Sequence, residues 1–503
     1  MIPAYLPVKN VLISVYDKKG LEPLCKSLKS LGANFFSTGG TAKFLIENGF
    51  DVTSVESVTQ FPEMMDGRVK TLHPKIFGGI LARRDDPSDL LATENLQIPL
   101  FDLVVVNLYP FWEHLNDSRK TQTKFIDVGG PSMLRAAAKN YESVTVLSSP
   151  NDYPIFEREL SEYQGTTEEF RLQLAAKTFQ RTSEYDALIA QMWKEQSREL
   201  PEHIYFGAAT PLRYGENPHQ IAVWSSQQTR WKILQGKELS YNNLLDSESA
   251  VRLNSEFSSP AITIVKHNNP CGVASADIPL AELFDQALAC DSKSAFGGIV
   301  ACNRAIDQKT AERMNQIFLE VVIAPHFSSE AAEVFKNKKN LRLIEWSNPQ
   351  FSPFEIRPSM GGWLIQTVDT LGIPTEFKTV TLNNSISEET RRDLIFSWLV
   401  SKHVRSNAIV IAKNGQTLGI GAGQMSRVDA VQIALDKAQG KTQGSVLSSD
   451  AFFPFRDNVD LLKNLGIQAI IQPGGSQRDN EVIQACNELG IAMVFTGKRH
   501  FRH

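Results

Sequence analysis

Short apolar runs alternate with segments of helical period through the first 150 residues. Val11–Val15 reads as a buried strand. Leu21, Leu24, Cys25, Leu28 and Leu31 then recur at helical spacing, and Gly32 stops the helix. Asn34–Phe36 reads as a second short strand, followed by Ser37-Thr38-Gly39-Gly40-Thr41 and a helix through Ile46. Phe101–Leu108 is continuously apolar, as a parallel strand covered on both faces must be. Ser143–Leu147 supplies another strand. This alternation predicts an α/β protein that opens with a doubly wound parallel sheet, with ligands beyond the carboxyl ends of its strands.

The second half also alternates strand and helix. Its clearest strand, Ala261–Val265, runs into Lys266-His267-Asn268-Asn269-Pro270-Cys271-Gly272, where Pro and Gly are expected to fix a turn. Glu195–Pro201 is charged and ends in proline, so a linker is expected there, with domains 1–199 and 200–503. The Pro/Ser-rich stretch Ser347–Ser359 suggests a further division near 345–365. Ser294-Ala295-Phe296 and Asp450-Ala451-Phe452 form a faint echo that would mark two related subdomains, although three residues also match by chance.

Composition narrows the class. A length of 503 residues implies two or three domains, and 42% hydrophobic with 21% charged residues fits a soluble globular chain. Fifty-two basic against 56 acidic residues argue against a dedicated nucleic-acid binder. The five cysteines are scattered, with no CxxC spacing, which fits a reduced, cytoplasmic setting. No run approaches the ~18 apolar residues of a membrane span.

Five polar clusters fall at or near predicted strand ends in the first half. They are Ser14–Lys18, Ser37–Thr41, Asp66–Lys75, Asn107–Phe111 and Ile126–Pro131, the last followed by a helical segment carrying Arg135 and Lys139. Each has a bland explanation: a capped helix, a solvated charge run, a surface lysine. Together on one sheet edge they suit a phosphorylated small molecule, with proton transfers by Lys, Tyr and Asp and no required metal.

In the second half, the loops Leu212–Gln220 and Gln235–Asn243 carry Arg, Tyr and Asn able to stack on and bond a flat heterocycle. Adjacent Lys266 and His267 after a buried strand read as a proton-transfer pair better than as two surface residues. Asn407, Lys413 and Gly419–Gln424 form a glycine-rich turn whose spacing fits a dinucleotide fingerprint only loosely, and no acidic residue follows where NAD needs one. Ser449–Asp457 holds three phenylalanines among charges, either core or an aromatic wall. Pro270-Cys271 begins a PCxxC zinc motif, but residue 274 is Ala and no His-x-Glu lies nearby, so zinc is set aside.

The strings STGGT, DGRVKTLHPK, VVNLYPF, IDVGGPSMLRAAAKN, LRYGENPHQ, SYNNLLD, VKHNNPCG, SAFGGIVA, AKNGQTLGIGAGQ, SDAFFPFRD and TGKRHFRH occur in order. With them the chain resembles, along nearly its whole length, the PurH family of purine biosynthesis, which joins AICAR transformylase to IMP cyclohydrolase. The resemblance implies a methylglyoxal-synthase-like first domain and a tandem of cytidine-deaminase-like α/β subdomains without zinc. It implies formyl transfer from the co-substrate 10-formyltetrahydrofolate to AICAR, then closure of FAICAR to inosine monophosphate, in a homodimer. By motif, Lys266, His267 and Asn407 fall on the transferase set. Arg213, Tyr214, Glu320, Arg427, Phe455 and Arg499 fall on binding positions, Glu320 as an acid facing AICAR. Lys70, Tyr109, Asp127 and Lys139 fall on the cyclohydrolase set. Lys18, Ser37, Thr38, Gly39, Gly40, Thr41, Arg68, Thr71 and Asn107 fall where the phosphate and ribose are held. Tyr16 stands where many members have Ser, and Phe77 where His is common.

Overall fold

In a computed structural model the apolar runs of the first half become five parallel strands. The structure describes residues 5–65, 69–114, 117–193, 206, 208–226, 231–373, 377–383 and 385–503. It divides into two compact units, Met1–Tyr205 and Phe206–His503. The boundary expected at 199, like Arg68, lies outside the described residues.

The first unit's strands are β1 (Asn10–Val15), β2 (Asn34–Ser37), β3 (Val52–Ser54), β4 (Leu103–Asn107) and β5 (Thr145–Leu147), in the order β3-β2-β1-β4-β5. Leu103, Val104 and Val105 are fully buried, as a central strand between two helical layers requires. Two helices begin at the carboxyl edge: α1 (Gly39–Glu47) after β2, and α2 (Gly129–Lys139) before β5.

The second unit carries a twelve-stranded sheet. Its strands are β6 (Lys232–Gln235), β7 (Ala261–Lys266), β8 (Asn269–Ser275), β9 (Gly298–Cys302), β10 (Leu319–Ala324), β11 (Arg342–Glu345), β12 (Lys378–Thr379), β13 (Ile409–Lys413), β14 (Gln416–Gly421), β15 (Val446–Ser449), β16 (Ala469–Gln472) and β17 (Ala492–Phe495). They lie in the order β6-β11-β10-β9-β7-β8-β14-β13-β15-β16-β17-β12. Read from either end the pattern is the same: an antiparallel edge strand, three parallel strands, then an antiparallel hairpin. The two hairpins meet antiparallel, Ala274 opposite Gln416.

The unit is built twice, 147 residues apart. Helix α3 (Tyr241–Asn254) corresponds to α5 (Glu388–Ser401), and Lys266 to Lys413. Helix α4 (Leu280–Leu288) packs on the first hairpin and α6 (Arg427–Ala438) on the second. A Cβ on Gly272 would lie 1.9 Å from the Ala287 carbonyl oxygen, and one on Gly419 would lie 2.0 Å from that of Ala434. Both hairpins therefore need glycine where the helix crosses.

Three sequence expectations change. The Ser-Ala-Phe/Asp-Ala-Phe echo is out of register: Ala295 precedes β9, whereas Ala451 follows β15. Pro270 and Gly272 do not make the turn after Lys266. They lie inside β8, and the turn is the two residues His267-Asn268, both left-handed (φ 52° and 61°). Gly419–Gly421 is strand rather than glycine-rich turn, because its glycines serve helix contact.

Candidate active sites

The first unit's candidate site lies at the carboxyl edge of its sheet. The segment Lys70-Thr71 runs between the starts of α1 and α2. Gly39, with φ of 54°, leaves room for the Lys70 amine, which a Cβ there would meet at 3.0 Å. Thr71 sits equally close, 3.0 Å from a Cβ position on Gly129. Thr38 gives α1 no side-chain cap, so α1 presents bare N–H groups suited to an anion beside a lysine, whereas at α2 the Asp127 carboxylate takes the N–H groups of Gly129 and Gly130.

Asp127 precedes α2. Its Oδ1 accepts the Gly130 N–H at 2.8 Å, and its own N–H donates to the Tyr185 hydroxyl at 2.8 Å. Burial pushes the Asp127 carboxyl up, against the hydrogen bonds from Gly130 and Gly129. Tyr109 follows β4 with its ring half-exposed, edge-on to Tyr16 at 5.4 Å. Tyr16 thus fills this place with an aromatic ring packed against Tyr109. Phe77 sits in the helix Pro74–Leu81, packed on the core.

Several predicted ligand contacts are committed to the fold instead. Ser37 Oγ is buried and donates to the Ile13 carbonyl at 2.7 Å. Thr41 Oγ1 bonds both the N–H and the carbonyl of Val15. Asn107 holds the turn after β1, accepting from the N–H groups of Tyr16 and Asp17 and donating to the Asp17 carbonyl. Lys18 donates to the Tyr16 carbonyl at 3.2 Å. These groups shape the cradle; Gly40, with open space beside it, the N–H groups at the start of α1 and the two further donors of the Lys18 amine are left to face a ligand.

Lys139 is not brought to this cluster within the chain. It is exposed at the last position of α2, about 15 Å along the axis from Gly129. The helix crosses the sheet, so Lys139 ends at the amino edge.

Two carboxylates escaped sequence reading. Glu63 pairs with Lys70 at 3.1 Å, and Glu56 Oε1 accepts from Thr38 Oγ1 at 2.8 Å. Burial would raise the Glu56 carboxyl. Its own N–H, the Thr38 and Ser54 hydroxyls and the Lys70 charge together hold it below the ordinary range.

The second unit's site follows from its duplicated sheet. Because the halves join antiparallel, the amino ends of β9, β10 and β11 share one edge with the carboxyl ends of β15, β16 and β17. Lys266 stands on that edge, its Nζ donating to the Gly297 carbonyl at 2.6 Å. A Cβ on left-handed Gly297 would lie 3.0 Å from that amine. His267 is exposed beside it, while its backbone N–H is held by Asp246 at 3.1 Å.

To one side Glu320, near the start of β10, accepts from Asn243 at 2.8 Å and meets Arg342 at 3.4 Å. Arg342 is buried, and its guanidinium also binds the Glu238 carbonyl at 3.0 Å. Burial lowers its pKa; Glu320 opposes that, and Arg213 and Tyr214 add opposing charges. Arg213 lies over the Tyr214 ring at 4.6 Å and bonds its hydroxyl at 2.8 Å.

To the other side, Asn269 Oδ1 accepts the Arg405 N–H at 3.0 Å, tying the His267 turn to the chain entering β13. Asn407 donates to the carbonyls of Gln424 and Met425 and accepts from Arg427 at 2.6 Å. Arg427 is buried and also binds Asp450, which is wholly buried. Phe455 and Arg499 are exposed, Phe455 under Arg478 at 4.8 Å and Arg499 over Phe501 at 4.5 Å.

The duplication shows which groups are special to this edge. On the opposite edge Lys413 donates to Gln443 at 2.8 Å, as Lys266 does to Gly297. However, Asn414 replaces His267, Leu280 replaces Arg427, Asn303 replaces Asp450 and Pro260 replaces Asn407. Asn303 still accepts the Ala261 N–H at 2.8 Å, as Asp450 accepts that of Ala408 at 3.2 Å. The ionisable groups are thus concentrated on one edge. Asn243, Asp246 and Asp450 lie within SYNNLLD and SDAFFPFRD but received no individual role in the sequence, and Arg342 was not singled out; alignment of the halves at the 147-residue offset would have exposed Asp246 and Asp450.

The profile described as AICARFT/IMPCHase bienzyme matches residues 137–437, and that of the MGS-like domain matches residues 20–132. A "Bifunctional purine biosynthesis protein PurH" from Oceanobacillus iheyensis is 47% identical, covering 98% of this chain and 100% of its own length. One so described from Persephonella marina is 48% identical at the same coverage. A solved structure, "Crystal structure of ForH", is 37% identical over 37% of this chain and 96% of its own, with a TM-score of 0.33.

Proposed function

This chain belongs to the AICARFT/IMPCHase bienzyme family, and on that premise we propose which of its residues carry each reaction. It is a bifunctional enzyme of purine biosynthesis, an AICAR formyltransferase and IMP cyclohydrolase.

Formyl transfer belongs to the second unit. The observation that carries this is the Lys266–His267 turn tied through Asn269 to the Asn407–Arg427–Asp450 network on one sheet edge. The formyl donor is 10-formyltetrahydrofolate. The AICAR amine is a poor nucleophile, its lone pair drawn into the ring and carboxamide. As it attacks the formyl carbon, His267 takes its proton. The Lys266 ammonium stabilises the oxyanion, and the folate C–N bond breaks with a proton delivered to the leaving nitrogen. Arg213, Tyr214, Glu320 and Arg342 hold the nucleotide. Phe455 and Arg499 line the other side, and Asn407, fixed by Arg427, orients the formyl group.

Ring closure belongs to the first unit. The bare start of α1 with Thr71 and the remaining donors of the Lys18 amine holds the phosphate and ribose, and Arg68 is assigned to the same task. Lys70, Tyr109 and Asp127 surround the carboxamide as its nitrogen adds to the formyl carbon and the resulting hydroxyl leaves as water. A carboxyl pushed up by burial is suited to supply that proton. Lys139 joins this set only from a second copy of the chain, as a homodimer allows. We assign the protein to the cytoplasm, consistent with five free cysteines and, among the described residues, no helix long and apolar enough to cross a membrane.

The test mixes purified protein with AICAR and 10-formyltetrahydrofolate and measures inosine monophosphate. Lys266→Ala and His267→Ala are expected to stop transfer yet still cyclise supplied FAICAR. Loss of both activities in a folded variant overturns the two-site assignment.

A further inference from the structure

We propose that Asp246 is a positioning residue for formyl transfer, gripping the backbone of the turn that presents His267. The proposal rests on the assignment of Lys266 and His267 above.

The turn has two residues, and both must adopt left-handed φ for the hairpin to close with the twist of its strands. His and Asn enter that region only at a cost. Asp246, buried on α3, supplies the compensation: one carboxylate oxygen accepts the His267 N–H at 3.1 Å and the other the Asn268 N–H at 2.7 Å. From the same helix Ser249 donates to Asn268 Oδ1 at 2.9 Å, and Arg502 in turn donates to Ser249 at 3.1 Å.

The second half repeats the device without the chemistry. Asp393, also 147 residues on, accepts the N–H groups of Asn414 and Gly415 at 2.9 and 2.8 Å. Asn-Gly is the pair that such a turn prefers. The first half places His and Asn there instead, so its turn depends more on the carboxylate. Asp246 touches no side chain of the pair and acts through the backbone, setting where the imidazole points. A side chain misplaced by an ångström can lose about a hundredfold in rate.

The experiment compares Asp246→Asn with Asp393→Asn in the full chain. Asp246→Asn is expected to lower kcat for formyl transfer about ten- to a hundredfold, with KM within about threefold. Its cyclisation of FAICAR should be unchanged. Asp393→Asn removes one of the two equivalent bonds, since an amide offers a single acceptor oxygen, and is expected to leave transfer kcat unchanged. Wild-type kcat in Asp246→Asn, or an equal loss in both variants, overturns the proposal. If Asp246→Asn does not fold, the double variant with Asn268→Gly relieves the left-handed demand without restoring the grip. It is expected to fold with kcat still low, and restored kcat would refute the role. A His267→Ala arm separates the two levels. Full transfer in that variant defeats the underlying assignment; lost transfer there beside wild-type Asp246→Asn defeats the positioning role alone.

Discussion

Arg427 donates one guanidinium nitrogen to Asn407 Oδ1 at 2.6 Å while another grips Asp450, whose side chain is wholly buried. The guanidinium therefore fixes the amide and neutralises a carboxylate that has no access to water. The corresponding positions of the first half are Leu280 and Asn303, a pair without charge. Arg427→Leu alone strands Asp450 and should destabilise the protein by about 3–5 kcal/mol. Arg427→Leu with Asp450→Asn copies the other half and should recover much of that stability while formyl transfer stays lost. Thermal unfolding of the single and double variants measures the difference, and no recovery would argue that Arg427 stabilises by another route.

Gly297 and Gly444 form a second matched pair. Both are left-handed, with φ of 67° and 74°, and a Cβ would lie 3.0 Å from Lys266 Nζ in one and 3.1 Å from Lys413 Nζ in the other. An alanine at either position should cost about 1–2 kcal/mol for its backbone conformation. Only Gly297→Ala should also lower formyl transfer, because only that methyl group displaces a reacting amine. Steady-state kinetics on the two variants decide it; equal effects on transfer would show that strain alone is responsible.

Asp127 is kept at a cost to stability. Its folded carboxyl lies above the ordinary value, so its contribution is fully favourable only below the unfolded carboxylate pKa. That contribution is lost as pH rises through the raised folded one. Asp127→Asn should therefore unfold at a higher temperature than the natural protein at neutral pH, with the gain vanishing in acid. Its cyclohydrolase activity should fall sharply. Melting curves at acidic and neutral pH, read beside FAICAR closure, provide the check; a variant less stable at neutral pH would mean that the Gly130 bond outweighs burial.

Glu63 competes for Lys70. The pair is a third exposed, so its contribution to stability is at most about 1 kcal/mol. Glu63→Gln should scarcely move the melting temperature. It should tighten inosine monophosphate binding a few fold, by about 0.5–1 kcal/mol on the scale of a partly exposed charge contact, and less in high salt. Titration calorimetry at two ionic strengths tests this, and weaker binding would assign Glu63 to the ligand instead of to the lysine.

What the sequence by itself determined was local. Apolar runs marked β1, β4 and β7, because burial on both faces leaves no polar position to confuse the period. Lys266 and His267 stood out because titratable groups directly after such a run cannot belong to the core. Tertiary structure decided everything that depends on strand order. The antiparallel meeting of β8 and β14 put Asn407, Arg427 and Asp450 on the edge that carries His267, more than a hundred residues away in the chain. The length of α2 carried Lys139 to the edge opposite Asp127, although twelve residues separate them. Pro270 and Gly272 proved to be strand residues, since the hairpin needed two left-handed positions and the crossing helix needed a missing Cβ. Such facts arise from pairings and packing between distant segments, and no local pattern of side chains encodes them.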